Sequence, residues 1–97
     1  MEVKIKSIHF DATQKLIDFI NKKVNRLARH NDAITNVDVS LKVVKPETSM
    51  NKEANIKISL PQQEDLFASK IADSFEEAID TTLEALERQL EKVKAKK

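Results

Sequence analysis

The sequence contains no glycine, cysteine, tryptophan or tyrosine, and only two prolines in 97 residues. The missing glycine excludes the most. Phosphate-cradling loops, dinucleotide fingerprints and the strand-to-helix nucleophile elbow all need it where backbone turns sharply or approaches a ligand. The missing cysteine removes disulfides, thiolate nucleophiles and sulfur-ligated zinc, and fits a reducing compartment. Apolar runs are only a few residues long, so no segment is built to span a bilayer. The opening Met-Glu-Val-Lys-Ile-Lys lacks a signal-peptide apolar region, and the expectation is a soluble, cytoplasmic protein with no membrane partner.

The two histidines, His9 and His30, stand in no metal-ligand spacing with a carboxylate. His9 reads as a strand-end surface residue and His30 as the end of a basic helix. Carboxylates are plentiful near the C-terminus, but on a solvated arc without an evident pocket. The expectation is therefore a non-enzyme, with no catalytic residue, metal, cofactor or small-molecule substrate.

The length suits one domain, 1–97, with fraying expected in the Lys-rich end after Val93. Alternation at Val3 and Ile5 shifts phase at Ile8 and Phe10, predicting a short strand with a bulge or exit bend near Ser7. A helix follows, capped by Thr13, with Leu16, Ile17, Ile20, Val24 and Leu27 on one side and Asn31 as the left-handed residue closing it. Val37, Val39, Leu41 and Val43 alternate, and beyond a Lys45–Asn51 connection so do Ala54, Ile56, Ile58 and Leu60, which predicts an antiparallel hairpin. A turn at Pro61–Asp65 leads to a last strand, Leu66–Ile71. The final helix is expected to open with Asp73 as cap and Glu76 three residues on, carrying Phe75, Ile79, Leu83, Leu86, Leu90 and Val93 as its stripe. The order β-α-β-β-β-α predicts an α+β fold, a four-stranded sheet with two helices packed on one face.

The formal charge of +1 hides a segregated pattern. Residues 13–29 carry five bases and one acid, residues 73–84 five acids and no base, and residues 85–97 five bases and two acids. At about 100° per residue, Lys22, Arg26 and Arg29 fall within about 40° of Lys15, away from the apolar side, with Lys23 on the flank of this ridge. On the last helix Arg88, Lys92 and Lys96 flank the apolar stripe on one side, while Asp80, Glu84, Glu87 and Glu91 occupy the other. For that helix, acids early and bases late also suit the macrodipole. The first ridge is different, because it begins with Lys15 in the first turn, where the dipole disfavours cations. Side by side, the two ridges would merge into one basic surface, the footprint of a phosphate-backbone binder. Four phenylalanines and no other aromatic leave little to stack splayed bases, which favours structured RNA read by shape and backbone. The alternative is a protein-interaction module whose acidic arc meets a basic partner.

The segment Asp73-Ser-Phe-Glu-Glu-Ala-Ile-Asp-Thr-Thr-Leu-Glu-Ala-Leu-Glu-Arg-Gln-Leu-Glu-Lys-Val-Lys94 resembles the pattern of the ribosome hibernation promoting factor and ribosome-associated inhibitor family. Thr13 to Leu27, Leu41-Lys-Val-Val-Lys45 and the Ala68-Ser69 pair agree with it. The resemblance covers essentially the whole chain. It implies the same β-α-β-β-β-α plan and docking on the small ribosomal subunit, against ribosomal RNA and neighbouring ribosomal proteins. There the protein would occlude the messenger and transfer RNA channel and inhibit translation in stationary phase or starvation. Lys23, Arg26 and Arg29 match basic positions of the family's first helix, and Arg88, Lys92 and Lys94 those of its last. Ala85 stands where the family often has Lys. Ending at Lys97, the chain resembles the short form, without the domain that pairs ribosomes. The full set of expected RNA-binding residues is Lys15, Lys22, Lys23, Arg26, Arg29, Arg88, Lys92, Lys94 and Lys96.

Overall fold

The computed structural model describes residues 1–8, 10–44 and 49–95, and the side chains of 94 and 95 are not among those described. Six elements follow in the expected order: β1 (Glu2–Ile8), α1 (Gln14–Arg29), β2 (Asn36–Val43), β3 (Lys52–Ser59), β4 (Leu66–Ala72) and α2 (Phe75–Ala95). The sheet is ordered β1-β2-β3-β4. β1 and β2 run parallel, joined through α1, and β2–β3 and β3–β4 are antiparallel. The fold class inferred from periodicity is thus the one observed.

Alternation decides which side of the sheet is covered. Val37, Val39 and Leu41 of β2 and Ala54, Ile56 and Ile58 of β3 are buried, and the residues between them face the open side. Against the buried side lie Ile20, Val24 and Leu27 of α1 and Ile79, Leu83, Leu86 and Leu90 of α2. The expected stripes are buried except at Leu16, Ile17 and Val93, which are half-buried, and Ala78 and Thr82 of α2 join the buried side. At the helix N-termini Phe10 stacks on Phe75, with ring centroids 4.7 Å apart, closing that end of the core.

Three local expectations change. β1 has no bulge at Ser7, because its pairing runs unbroken from Glu2↔Asn36 to Ile8↔Lys42. Hydrogen bonding to β2 holds the pleat, so half-buried Ser7 takes the core side opposite Leu41 and Ile8 the open side. Asn31 does not close α1 in a left-handed conformation; its Nδ2 donates instead to the Leu27 carbonyl at 2.9 Å, after a right-handed His30. The cap of α2 is Ser74, whose Oγ accepts from the Glu77 N–H at 3.2 Å. Asp73 is engaged elsewhere, its Oδ1 accepting from the Met50 N–H at 2.7 Å. That bond fastens the β2–β3 connection where Met50 sits at φ 55°, a left-handed turn made without glycine. The reading of His9 as a surface residue, and residues 45–48 of the connection, lie outside the described residues.

Ser74→Ala is expected to cost about 1 kcal/mol by exposing the first-turn amides of α2. Urea unfolding checks the size, and hydrogen exchange at Glu77 checks the cause. Asp73→Ala should leave the Glu77 amide protected and loosen the Met50 end instead.

Candidate nucleic-acid interface

The apolar side of α1 is pressed on the sheet, so its opposite side is set toward solvent by the same periodicity. Lys15, Lys22, Arg26 and Arg29 are all exposed there. They span about 21 Å of helix at 1.5 Å per residue. Among the described residues none of the four forms an ion pair. Thr13 holds the start of this helix by accepting the Leu16 N–H at 3.2 Å, which puts Lys15 in the first turn as expected.

Lys23 is set apart from the other four. Only about a third exposed, its Nζ lies 3.4 Å from Asp80 of α2 and 5.4 Å from the centre of the Phe19 ring. Its place on the flank of the ridge carried the signal, since that flank turns toward α2. Lys23 joins the two helices and is the least available of the expected contacts among the described residues.

The helices lie side by side and run in the same direction. Lys15 and Phe19 stand near Phe75 and Glu76 at one end, and Arg26 and His30 oppose Glu84, Glu87 and Glu91 further along. Between the helices runs a groove of about 590 Å³ with Lys23 and Arg26 on one wall and Asp80, Glu84, Glu87 and Glu91 on the other. The acidic flank of α2 therefore faces α1. This corrects the expectation that the two basic ridges merge: a band of carboxylates separates them. Arg88 and Lys92 are exposed and do not line the groove; Lys92 is on the side from which Gln89 Nε2 donates to the Phe67 carbonyl of β4 at 3.0 Å, and Arg88 is on the side of α2 away from the sheet. Lys96 and the side chain of Lys94 lie outside the described residues.

The geometry is thus a stripe of four exposed cations on α1, with exposed Asp18 beside it between Lys15 and Lys22, and a smaller patch on α2, with a negative groove between. A polyanion lying along α1 would relieve the mutual repulsion of its cations, and the carboxylate band would set its lateral position. Of the acidic arc of α2, Asp80 is paired with Lys23, and Glu84 and Glu87 stand across the groove from Arg26.

The family model for the Sigma 54 modulation protein / S30EA ribosomal protein family matches residues 3–97. The chain belongs to that family. It is 34% identical over 100 residues to the ribosome hibernation promoting factor of Pseudomonas putida, covering 99% of this chain and 89% of that protein. Identity to the ribosome hibernation promoting factor of Azotobacter vinelandii is 32%, covering 99% and 85% of the two chains. Among solved structures, a ribosomal subunit interface protein from Coxiella burnetii superposes with a TM-score of 0.86 at 23% identity, covering 98% of this chain and 99% of that one. The N-terminal domain of Protein Y from Thermus thermophilus gives 0.79 at 23% identity, covering 96% and 99%. These two structures share the fold of this chain.

Proposed function

We propose that this protein is a ribosome hibernation factor. It binds the small ribosomal subunit through ribosomal RNA, with neighbouring ribosomal proteins beside it, and acts in the cytoplasm by occupancy. The α1 stripe of Lys15, Lys22, Arg26 and Arg29 is the main contact, and the outer α2 patch of Arg88 and Lys92 is a second. Occupying the channel of messenger and transfer RNA, the protein would hold translation off in stationary phase or starvation. The observation that carries this reading is the exposed four-cation stripe on a chain whose relatives are named ribosome hibernation promoting factors.

Sedimentation of the protein with purified small subunits tests it, with and without bound messenger and transfer RNA. Co-sedimentation with empty subunits and release by the two RNAs is the expected result. Equal binding in their presence would remove the channel from the proposal.

The carboxylate band makes a separate prediction. A carboxylate about 10 Å from a phosphate in water costs about 0.4 kcal/mol before screening. Glu84→Gln combined with Glu87→Gln should therefore strengthen RNA binding about threefold at low salt, and less as salt shortens the screening length. Filter binding at two ionic strengths measures this.

A further inference from the structure

The two edges of the sheet are treated differently. β1 presents Glu2, Lys4 and Lys6 on its open face, charges that discourage another strand from pairing. β4 presents Phe67, Ser69 and Ile71 there instead, with Phe67 55% and Ile71 44% exposed. Backbone direction along β4 follows from the sheet. The Val44 N–H donates to the Asn51 carbonyl at 2.9 Å, so the alternate residues of β3 from Asn51 onward direct their backbone groups to β2. Ala54, Ile56 and Ile58 then pair with Lys70, Ala68 and Leu66. The N–H and C=O groups of Phe67, Ser69 and Ile71 point to the free edge. The Gln89 amide, donating to the Phe67 carbonyl at 3.0 Å, already occupies one bond that an added strand would make.

The helix side of the same edge is basic. Exposed Lys70 lies on that side of β4, and exposed Lys92 lies on the side of α2 from which Gln89 reaches the β4 edge. We propose that the β4 edge is a docking site for an extended protein segment of alternating apolar and acidic residues. Added as a fifth strand, the segment sets its apolar side chains beside Phe67 and Ile71 and its carboxylates toward Lys70 and Lys92. A second copy of this chain fits less well. Antiparallel pairing of two β4 edges puts both α2 helices on one face of the joined sheet, with Lys70 and Lys92 of each facing the same charges of the other. The edge residues Phe67, Ser69 and Ile71 have no part in the ribosome reading, whereas the α2 cations are shared with its second RNA contact, so RNA and the segment would compete there.

The probe is a labelled seven-residue peptide alternating valine and glutamate, with a valine–lysine peptide as control, added to the full chain. Amide NMR should show shifts centred on Ser69 and Ile71, and their N–H groups should gain hydrogen-exchange protection. Ile71→Lys, which copies the guarding of β1 at an exposed position, should weaken binding about fivefold or more. Lys70→Glu with Lys92→Glu should reverse the preference toward the lysine peptide, a result that loss of folding would not produce. The proposal is overturned if shifts appear at β1 or nowhere, or if the lysine peptide binds the parent protein equally well. Concentration-dependent dimerisation abolished by Ile71→Lys would also overturn it, assigning the edge to a second copy.

Discussion

Replacing Lys22, Arg26 and Arg29 together by alanine is expected to weaken binding to small ribosomal subunits about 100-fold at 0.15 M salt. Each cation that neutralises a phosphate releases close to one counterion, worth about 1 kcal/mol at that salt, and three of them give about 3 kcal/mol. The slope of log K against log salt should become shallower by about three units, with little dependence on RNA sequence. Folding should survive, since all three side chains are exposed and form no ion pair among the described residues. Their removal from the later turns of α1 costs only the dipole term, a few tenths of a kcal/mol each. Lys23→Ala is the internal control. Its cation is held between Asp80 and Phe19, so its loss should disturb the helix pair more than RNA binding. Equilibrium binding over a salt series separates the two variants.

Leu86→Ala is expected to produce the largest loss of stability, about 3 kcal/mol. Leu86 has no exposed surface and lies midway along the stripe of α2, within the cluster that joins both helices to β2 and β3. Deleting its isobutyl group removes buried apolar area and leaves a cavity, and the close-packed surroundings collapse only in part. A domain of this size has about 5–15 kcal/mol in total, so the variant stays folded at room temperature with Tm lower by about 15 °C. Thermal unfolding by circular dichroism measures it. RNA affinity of the folded fraction should stay near the parent's, because the α1 stripe does not touch Leu86's side of α2.

Much of this molecule is written in its periodicity. Alternation in β2 and β3 and the two helical stripes name the buried residues, and from these the β-α-β-β-β-α arrangement follows. The exposed side of α1 is legible for the same reason, being whatever the stripe leaves over. The direction in which each flank of α2 points is not. A stripe fixes which side of a helix is buried, but whether the acidic or the basic flank meets α1 depends on where each helix lies on the sheet. Local chemistry likewise points to Asp73 as the cap of α2, where the cap is Ser74. The choice is made by Met50, which stands 23 residues before Asp73 and takes its carboxylate. At Ser7 a polar residue sits on the core side because register outweighs a single side chain. The exposed apolar edge of β4 carried a faint signal in the alternation of Phe67 and Ile71 with small Ala68 and Ala72. It becomes visible only once β4 is known to be an edge.

The central claim is that the solvent side of α1 lies against RNA of the small subunit. A photoactivatable amino acid in place of Arg26, irradiated on ribosomes from starved cells, tests it most directly. Cross-links to small-subunit ribosomal RNA, suppressed when messenger and transfer RNA fill the channel, are the predicted result. Cross-links confined to the large subunit or to ribosomal proteins would contradict it.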